Sequence, residues 1–224
     1  MSTDIRFLAL RLEGPLQSWG FDSQYNRRNT GLMPTKSAIA GLCCAAQGLP
    51  RGSGTEQEFL AAFGAMRMTA IVIPRNGTKK ELPVRRLQDY HTVQNTRRAS
   101  GYINNDCVLT YRQYLTDAAF GVLLEGEAPL LQQLADAVSN PVWGIWLGRK
   151  TCIPSAPVFA GLKENRDAAL RLLIGEKPLE AFTRQEEVEN FADGHDSLPD
   201  TAVSFASEQR LFSPRRVRLR FGGC

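Results

Sequence analysis

The stretch Arg85-Arg86-Leu87-Gln88-Asp89-Tyr90-His91-Thr92-Val93 interleaves cationic and flat aromatic side chains. Arg97-Arg98 follow it, and Tyr111-Arg112-Gln113-Tyr114 returns after a polar interval. Arginine contacts phosphate, and tyrosine and histidine offer faces on which unpaired bases stack. Aromatics interleaved with arginine point to single-stranded nucleic acid more than arginine alone does. The same residues have a structural reading, in which Asp89, Tyr90 and Arg112 tie the base of a hairpin together. Arg27 and Arg28 lie in a second polar, basic stretch. Lys36 and Ser37 follow Pro34-Thr35 at a helix start. A helix N-terminus presents free N–H groups and a partial positive charge, which suits a phosphate. The alternative there is ordinary capping with a solvent-facing lysine. Gly148-Arg149-Lys150 supplies one more basic segment.

Catalysis has one candidate. His91, beside Tyr90 and near Lys79 and Lys80, could form a metal-free ribonuclease site. That site needs a general base for a 2′-hydroxyl and a general acid for the leaving oxygen. The chain has only two histidines, so a pair requires His195 to come close. No Walker A loop, G-x-S-x-G or H-E-x-x-H occurs. Five cysteines, Cys43, Cys44, Cys107, Cys152 and Cys224, form no C-x-x-C pair, so no structural zinc is expected. Cys43 and Cys44 sit in an apolar helix pattern and read as reduced core thiols. The expectation is a binding protein with no catalytic residues, no metal and no cofactor.

The elements that must position these residues follow from periodicity. Ile5 to Leu12 is nearly continuously apolar, so it reads as a central strand buried on both faces. Leu16 to Met33 reads as a long polar loop. A helix follows from Thr35 as N-cap to a stop at Gly48, with Ile39, Leu42, Cys43 and Ala46 inward. A second helix is expected over 56–66 and a strand over 68–73. Residues 82–90 and 108–114 read as extended, flanking a polar insert with Asn76-Gly77 before it. A strand over 119–124, a helix face at Leu131, Leu134, Ala135 and Val138, and a strand over 142–147 complete the set. Beyond Pro157 the pattern weakens to a short helix over 167–174 and a strand over 215–221 with Arg216, Arg218 and Arg220 on one face. The order approximates the βαββαβ plan. The expected fold is α+β: a modified ferredoxin-like, RNA-recognition-motif domain with an inserted β-hairpin thumb and a small β-rich C-terminal part. The domain spans 1–160, with the thumb at 85–114, and the C-terminal part spans 161–224.

The chain has 224 residues, 43% of them hydrophobic, enough for a sizeable core. No apolar run reaches the roughly 18 residues that span a bilayer. Asp4, Arg6 and Arg11 break any signal-peptide pattern, so a cytoplasmic protein without membrane partners is expected. The formal charge is +4. Arginines cluster within 85–112 and again at Arg210, Arg215, Arg216, Arg218 and Arg220, while 164–200 is rich in Glu and Asp. Separated basic clusters suggest patches facing a polyanion, with solvated surface charge as the alternative.

Four segments in order carry a specific resemblance. They are Leu10-Arg11-Leu12-Glu13-Gly14-Pro15-Leu16-Gln17-Ser18-Trp19-Gly20; Pro34-Thr35-Lys36-Ser37 with Gly41-Leu42; Asp89-Tyr90-His91-Thr92-Val93 with Tyr111-Arg112-Gln113-Tyr114-Leu115 and Asp117; and Leu147-Gly148-Arg149-Lys150-Thr151-Cys152 with Pro157 and Phe159. Over residues 5–162 the chain resembles the CasD family, the 5′-handle subunit of type I-E Cascade. The resemblance implies an RNA-recognition-motif domain whose thumb lies across the CRISPR RNA near its first pairing positions. It implies contact with the neighbouring backbone subunit and the large subunit, and with target DNA through the guide heteroduplex. Residues assigned to RNA on this reading are Arg27, Arg28, Lys36, Ser37, Arg85, Arg86, Tyr90, His91, Arg97, Arg98, Tyr111, Arg112, Arg149 and Lys150. A related type I-C subfamily cuts its own precursor RNA, which keeps a metal-independent endoribonuclease as the alternative. A scaffold without RNA contact fits the mild net charge but not the arginine clusters. The aromatic RNP1 pattern is absent, and residues beyond 162 match only loosely, apart from Phe205-Ala206-Ser207.

Overall fold

The computed structural model describes residues 4–74, 85–97, 100–104 and 106–222. In chain order the first half contains β1 (Ile5–Glu13), β2 (Leu16–Gln17), β3 (Arg27–Arg28), α1 (Lys36–Gln47), α2 (Gly54–Ala65), β4 (Arg67–Val72), β5 (Arg85–Val93), β6 (Thr96–Arg97), β7 (Ile103–Asn104) and β8 (Val108–Thr116). The second half contains β9 (Ala119–Glu127), α3 (Ala128–Ser139), β10 (Phe159–Lys163), α4 (Arg166–Ile174), β11 (Arg184–Glu187), β12 (Asp196–Ser204) and β13 (Leu211–Arg220). The class is mixed α+β, with mostly antiparallel sheets.

Among the described residues the main sheet runs β10-β1-β9-β4-β11-β13-β12. Every neighbouring pair in it is antiparallel. Both faces of its centre are covered, which is why β1 reads as continuously apolar. Leu8, Leu10 and Leu12 of β1, with Phe120, Val122 and Leu124 of β9, pack in the larger core cluster with α1 and α3. Ala9, Leu123 and Ile71 turn to the other face, against Ala169, Leu170 and Leu173 of α4. Alternation along a strand sends successive side chains to opposite faces. Here each face meets a helix.

The helix signals act as the sequence suggests. Thr35 caps α1, its side chain accepting from Ala38 N, and Gly48 ends the helix in the left-handed conformation at φ 70°. Ser53 caps α2. A capping side chain satisfies one of the N–H groups that the first turn leaves without a partner.

Residues 142–147 do not form the expected strand. Val142 N and Trp143 N instead donate to Ala46 O and Ala45 O, closing the C-terminal end of α1. Val142 and Trp143 are 66% and 46% exposed, unlike the side chains of an interior strand. A short apolar run carries no period that separates a strand from a covering loop. The strand that flanks β1 opposite β9 is β10, supplied by residues 159–163. β10 crosses the boundary expected at 160/161. β11 pairs with β4 (Arg184↔Ile71), so the C-terminal strands continue the same sheet.

Candidate nucleic-acid interface

β5 and β8 form a long antiparallel hairpin, in register from Arg85↔Thr116 to Val93↔Val108. β3 lies along the other side of β8 in parallel, with Arg27 beside Tyr111 and Arg28 beside Arg112. Residues directly opposite in a ladder share a face. The register therefore divides the expected site residues. Arg86, Tyr90, Tyr111 and Arg27 occupy one face; Arg85, His91, Arg112 and Arg28 occupy the other, with Asp89.

The first face carries a stacked row. The Tyr90 and Tyr111 rings meet edge to face with centroids 5.4 Å apart. The Arg27 guanidinium lies 5.8 Å from the Tyr111 centroid. Tyr90 is 57% exposed, and Arg27 and Arg86 are exposed as well. Tyr111 N donates to Asn26 O at 2.8 Å, which ties the turn before β3 to β8. Cation and ring faces thus stand together in solvent, the combination that suits a phosphate chain with unpaired bases.

The second face is occupied by local contacts. Arg112 Nε donates to Thr110 Oγ1, and the Thr110 hydroxyl donates to His91 O. His91 Nδ1 lies 3.5 Å from Asp89 Oδ2, with both side chains about two-fifths exposed. A contact so solvated contributes little to stability. His195 immediately precedes β12 of the main sheet, whereas His91 lies on β5 of the hairpin sheet.

Arg149 was expected on RNA and instead turns inward. It donates to Gln113 O at 2.8 Å and to Arg28 O at 2.6 Å. Its guanidinium lies 4.7 Å over the ring of buried Tyr114. Lys150 and Arg85 are exposed, as is Arg97 on β6. Arg98 lies outside the described residues, as do Lys79, Lys80 and Cys224.

The start of α1 corrects the expected phosphate site. Lys36 is fully buried. Its ammonium donates to Gly64 O at 2.9 Å, Met66 O at 2.6 Å and Glu187 Oε1 at 2.8 Å, so all three of its protons are taken. The Lys36 N–H donates to Asp200 Oδ2 at 2.8 Å. The helix N-terminus already holds an anion, from this chain's own β12. Arg215 closes the ring, with Nε and Nη2 donating to Asp200 at 2.6 and 3.0 Å and Nη1 lying 3.6 Å from Glu187. Burial is the larger influence on Lys36 and lowers its pKa, while Glu187 raises it. The half-buried Ser37 hydroxyl faces Thr35 Oγ1 at 3.4 Å. Asp200 is distant in sequence, so no local spacing announces this closure.

The C-terminal arginines are similarly engaged. Arg216 sits 3.9 Å over the Phe191 ring and donates to Phe191 O, Gly194 O and Ser197 Oγ. Arg218 donates to Glu186, as Arg184 does. The basic cluster at 215–218 thus faces the acidic stretch of the same chain. Among the described residues no cluster of metal-ligating side chains occurs, and no helix is long and apolar enough to cross a membrane.

With this geometry in place, comparison with known proteins is decisive. The family described as "CRISPR-associated protein (Cas_Cas5)" matches residues 7–218. The chain belongs to this family. It is similar to the CRISPR system Cascade subunit CasD of Escherichia coli (strain K12), at 32% identity over 173 residues, 75% of each chain. It is also similar to a chain of a solved CRISPR RNA-guided surveillance complex, at 27% identity and a TM-score of 0.75, covering 95% of this chain and 88% of that one. A crystal structure of a Cas protein matches at 34% identity and a TM-score of 0.66, covering 95% and 93%.

In this family member the segments that carried the resemblance largely build the seat of the hairpin. Ser18 N donates to Leu147 O at 3.0 Å, Arg11 N to Val158 O at 2.8 Å and Asp117 N to Pro15 O at 3.0 Å. Gly148 has φ 100°, and a Cβ there would lie 1.9 Å from Ser18 O. Only glycine fits where the two segments cross. Trp19 is fully buried and packs edge to face on Phe120.

Proposed function

We propose that this chain is an RNA-binding subunit of a type I-E CRISPR effector complex and holds the 5′ handle of the CRISPR RNA. The observation that carries this reading is the solvent-facing row Tyr90–Tyr111–Arg27 on a hairpin whose base is fixed to the body. Family membership and the name of the Escherichia coli relative support it. The order of β10, β1, β9 and β4, with helices between β1 and β4 and between β9 and β10, supports a ferredoxin-like core of the RNA-recognition-motif kind. Arg27, Arg86, Tyr90 and Tyr111 are the residues that the face of the stacked row offers to RNA, with exposed Arg97 and Lys150 as further cations, whereas Arg28 and Arg85 stand on the opposite face. Lys36 and Arg149 are withdrawn from that set by their internal contacts. The hairpin lies across the guide near its first pairing positions, so target DNA meets this chain through the guide heteroduplex. The backbone and large subunits flank it in the cytoplasm.

Binding is proposed without cutting. Incubating the purified chain with precursor repeat RNA and EDTA should leave the RNA intact and shifted into a complex. Tyr111→Ala should lower handle affinity by about 5- to 150-fold, since one base–aromatic stack contributes about 1–3 kcal/mol. Cleavage that His91→Ala abolishes would establish the endoribonuclease reading instead.

A further inference from the structure

Tyr25 stands at the first corner of a two-residue turn. Gln24 and Arg27 exchange both backbone hydrogen bonds, Gln24 N to Arg27 O at 3.0 Å and Arg27 N to Gln24 O at 2.9 Å. The corner forces Tyr25 to φ 46°. Turns of this kind ordinarily take Gly, Asn or Asp at positive φ, because a bulky side chain is strained there. Burial does not compensate the strain, since Tyr25 is 90% exposed. A tyrosine held in an unfavourable conformation with its ring in water has a use outside the chain's own packing.

The surroundings indicate that use. The next residue, Asn26, accepts Tyr111 N through its carbonyl, so the turn is anchored to the hairpin. Two residues on, Arg27 lies over the Tyr111 ring beside Tyr90. Phe21 at the other end of the same loop is 63% exposed. The ring of Tyr25 therefore belongs to an anchored turn adjoining a row of cation and aromatic faces. We infer that Tyr25 is a base-stacking residue, taking one unpaired nucleobase of the RNA beside the Tyr90–Tyr111–Arg27 row. The inference rests on the RNA-binding reading and adds to the hairpin tyrosines a further ring, on a different loop, that takes a base.

The test exploits two effects of opposite sign. In the full chain, Tyr25→Gly removes the strain and the ring together, because glycine adopts positive φ freely. Its melting temperature should rise. Its affinity for fluorescein-labelled oligoadenylate RNA should fall by roughly 5- to 150-fold. Tyr25→Trp should retain the affinity. An abasic strand of the same length should bind the parent and Tyr25→Gly equally, since it offers nothing to stack. A merely structural tyrosine would move stability and affinity in the same direction. Oligoadenylate binding that is unchanged in Tyr25→Gly, or a loss that is as large on the abasic strand, overturns the inference while the parent's RNA binding stands. A parent chain that binds neither strand removes the RNA reading itself, and the Tyr25 role with it.

Discussion

At the scale of single residues, Arg27 and Arg149 show how two arginines of one surface divide their work. Arg27 faces solvent over Tyr111, whereas Arg149 joins Gln113 O, Arg28 O and the Tyr114 ring. The two roles leave different marks on binding. Arg27→Ala should weaken RNA binding and reduce the salt slope by about 0.7, the release expected for one phosphate contact on a single strand. Arg149→Lys keeps the charge but loses the planar fork and the stacked face. It should lower affinity by about tenfold with the salt slope unchanged, because it positions β3 and β8 without touching phosphate. A slope reduced as in Arg27→Ala would return Arg149 to the RNA contacts. The sequence displays both arginines identically. Only the ladder register and the crossing of residues 147–149 over Ser18 assign them, and neither is encoded in local spacing.

At the scale of elements, the buried ring Lys36–Glu187–Arg215–Asp200 fastens α1 to β11, β12 and β13. Breaking one member of a buried ionic cluster leaves an uncompensated charge and costs about 3–5 kcal/mol. Asp200→Ala should therefore lower the unfolding free energy by about that amount in urea titration. A change below about 1 kcal/mol, the value of a surface pair, would show that the ring contributes little. Elements with strong local signals were legible in the sequence: β1 from its apolar run, α1 from Thr35 and Gly48, and α4 from its short helical pattern. Residues 142–147 were not, because their apolar character serves as a cover for α1 and the body, a role with no period of its own. Asp200 and Arg215 read only as members of an acidic stretch and a basic cluster until β12 is seen to bring Asp200, with Arg215 on it, to the start of α1.

At the scale of the whole molecule, the C-terminal strands extend the central sheet and pair their arginines with Glu186, Glu187 and Asp200, while the hairpin keeps a basic and aromatic face in solvent. Burial pushes the Glu186 carboxyl up, but hydrogen bonds and charge from Arg184 and Arg218 outweigh it and hold the pKa below its ordinary value of 4.5. A depressed carboxylate contributes stability above its unfolded pKa and loses it as pH falls through the folded value. Acid unfolding below about pH 4.5 should thus be shallower in Glu186→Gln than in the parent, and equal steepness would contradict the assignment. The central claim, that RNA lies on the Tyr90–Tyr111–Arg27 face and not at the start of α1, is tested most directly by photo-crosslinking. Handle RNA carrying 4-thiouridine is irradiated with the full chain, and the attached peptides are mapped. The expected crosslinks fall on the β3, β5 and β8 segments containing Arg27, Tyr90 and Tyr111. Crosslinks confined to the α1 N-terminus around Lys36, or to the C-terminal strands, would contradict it.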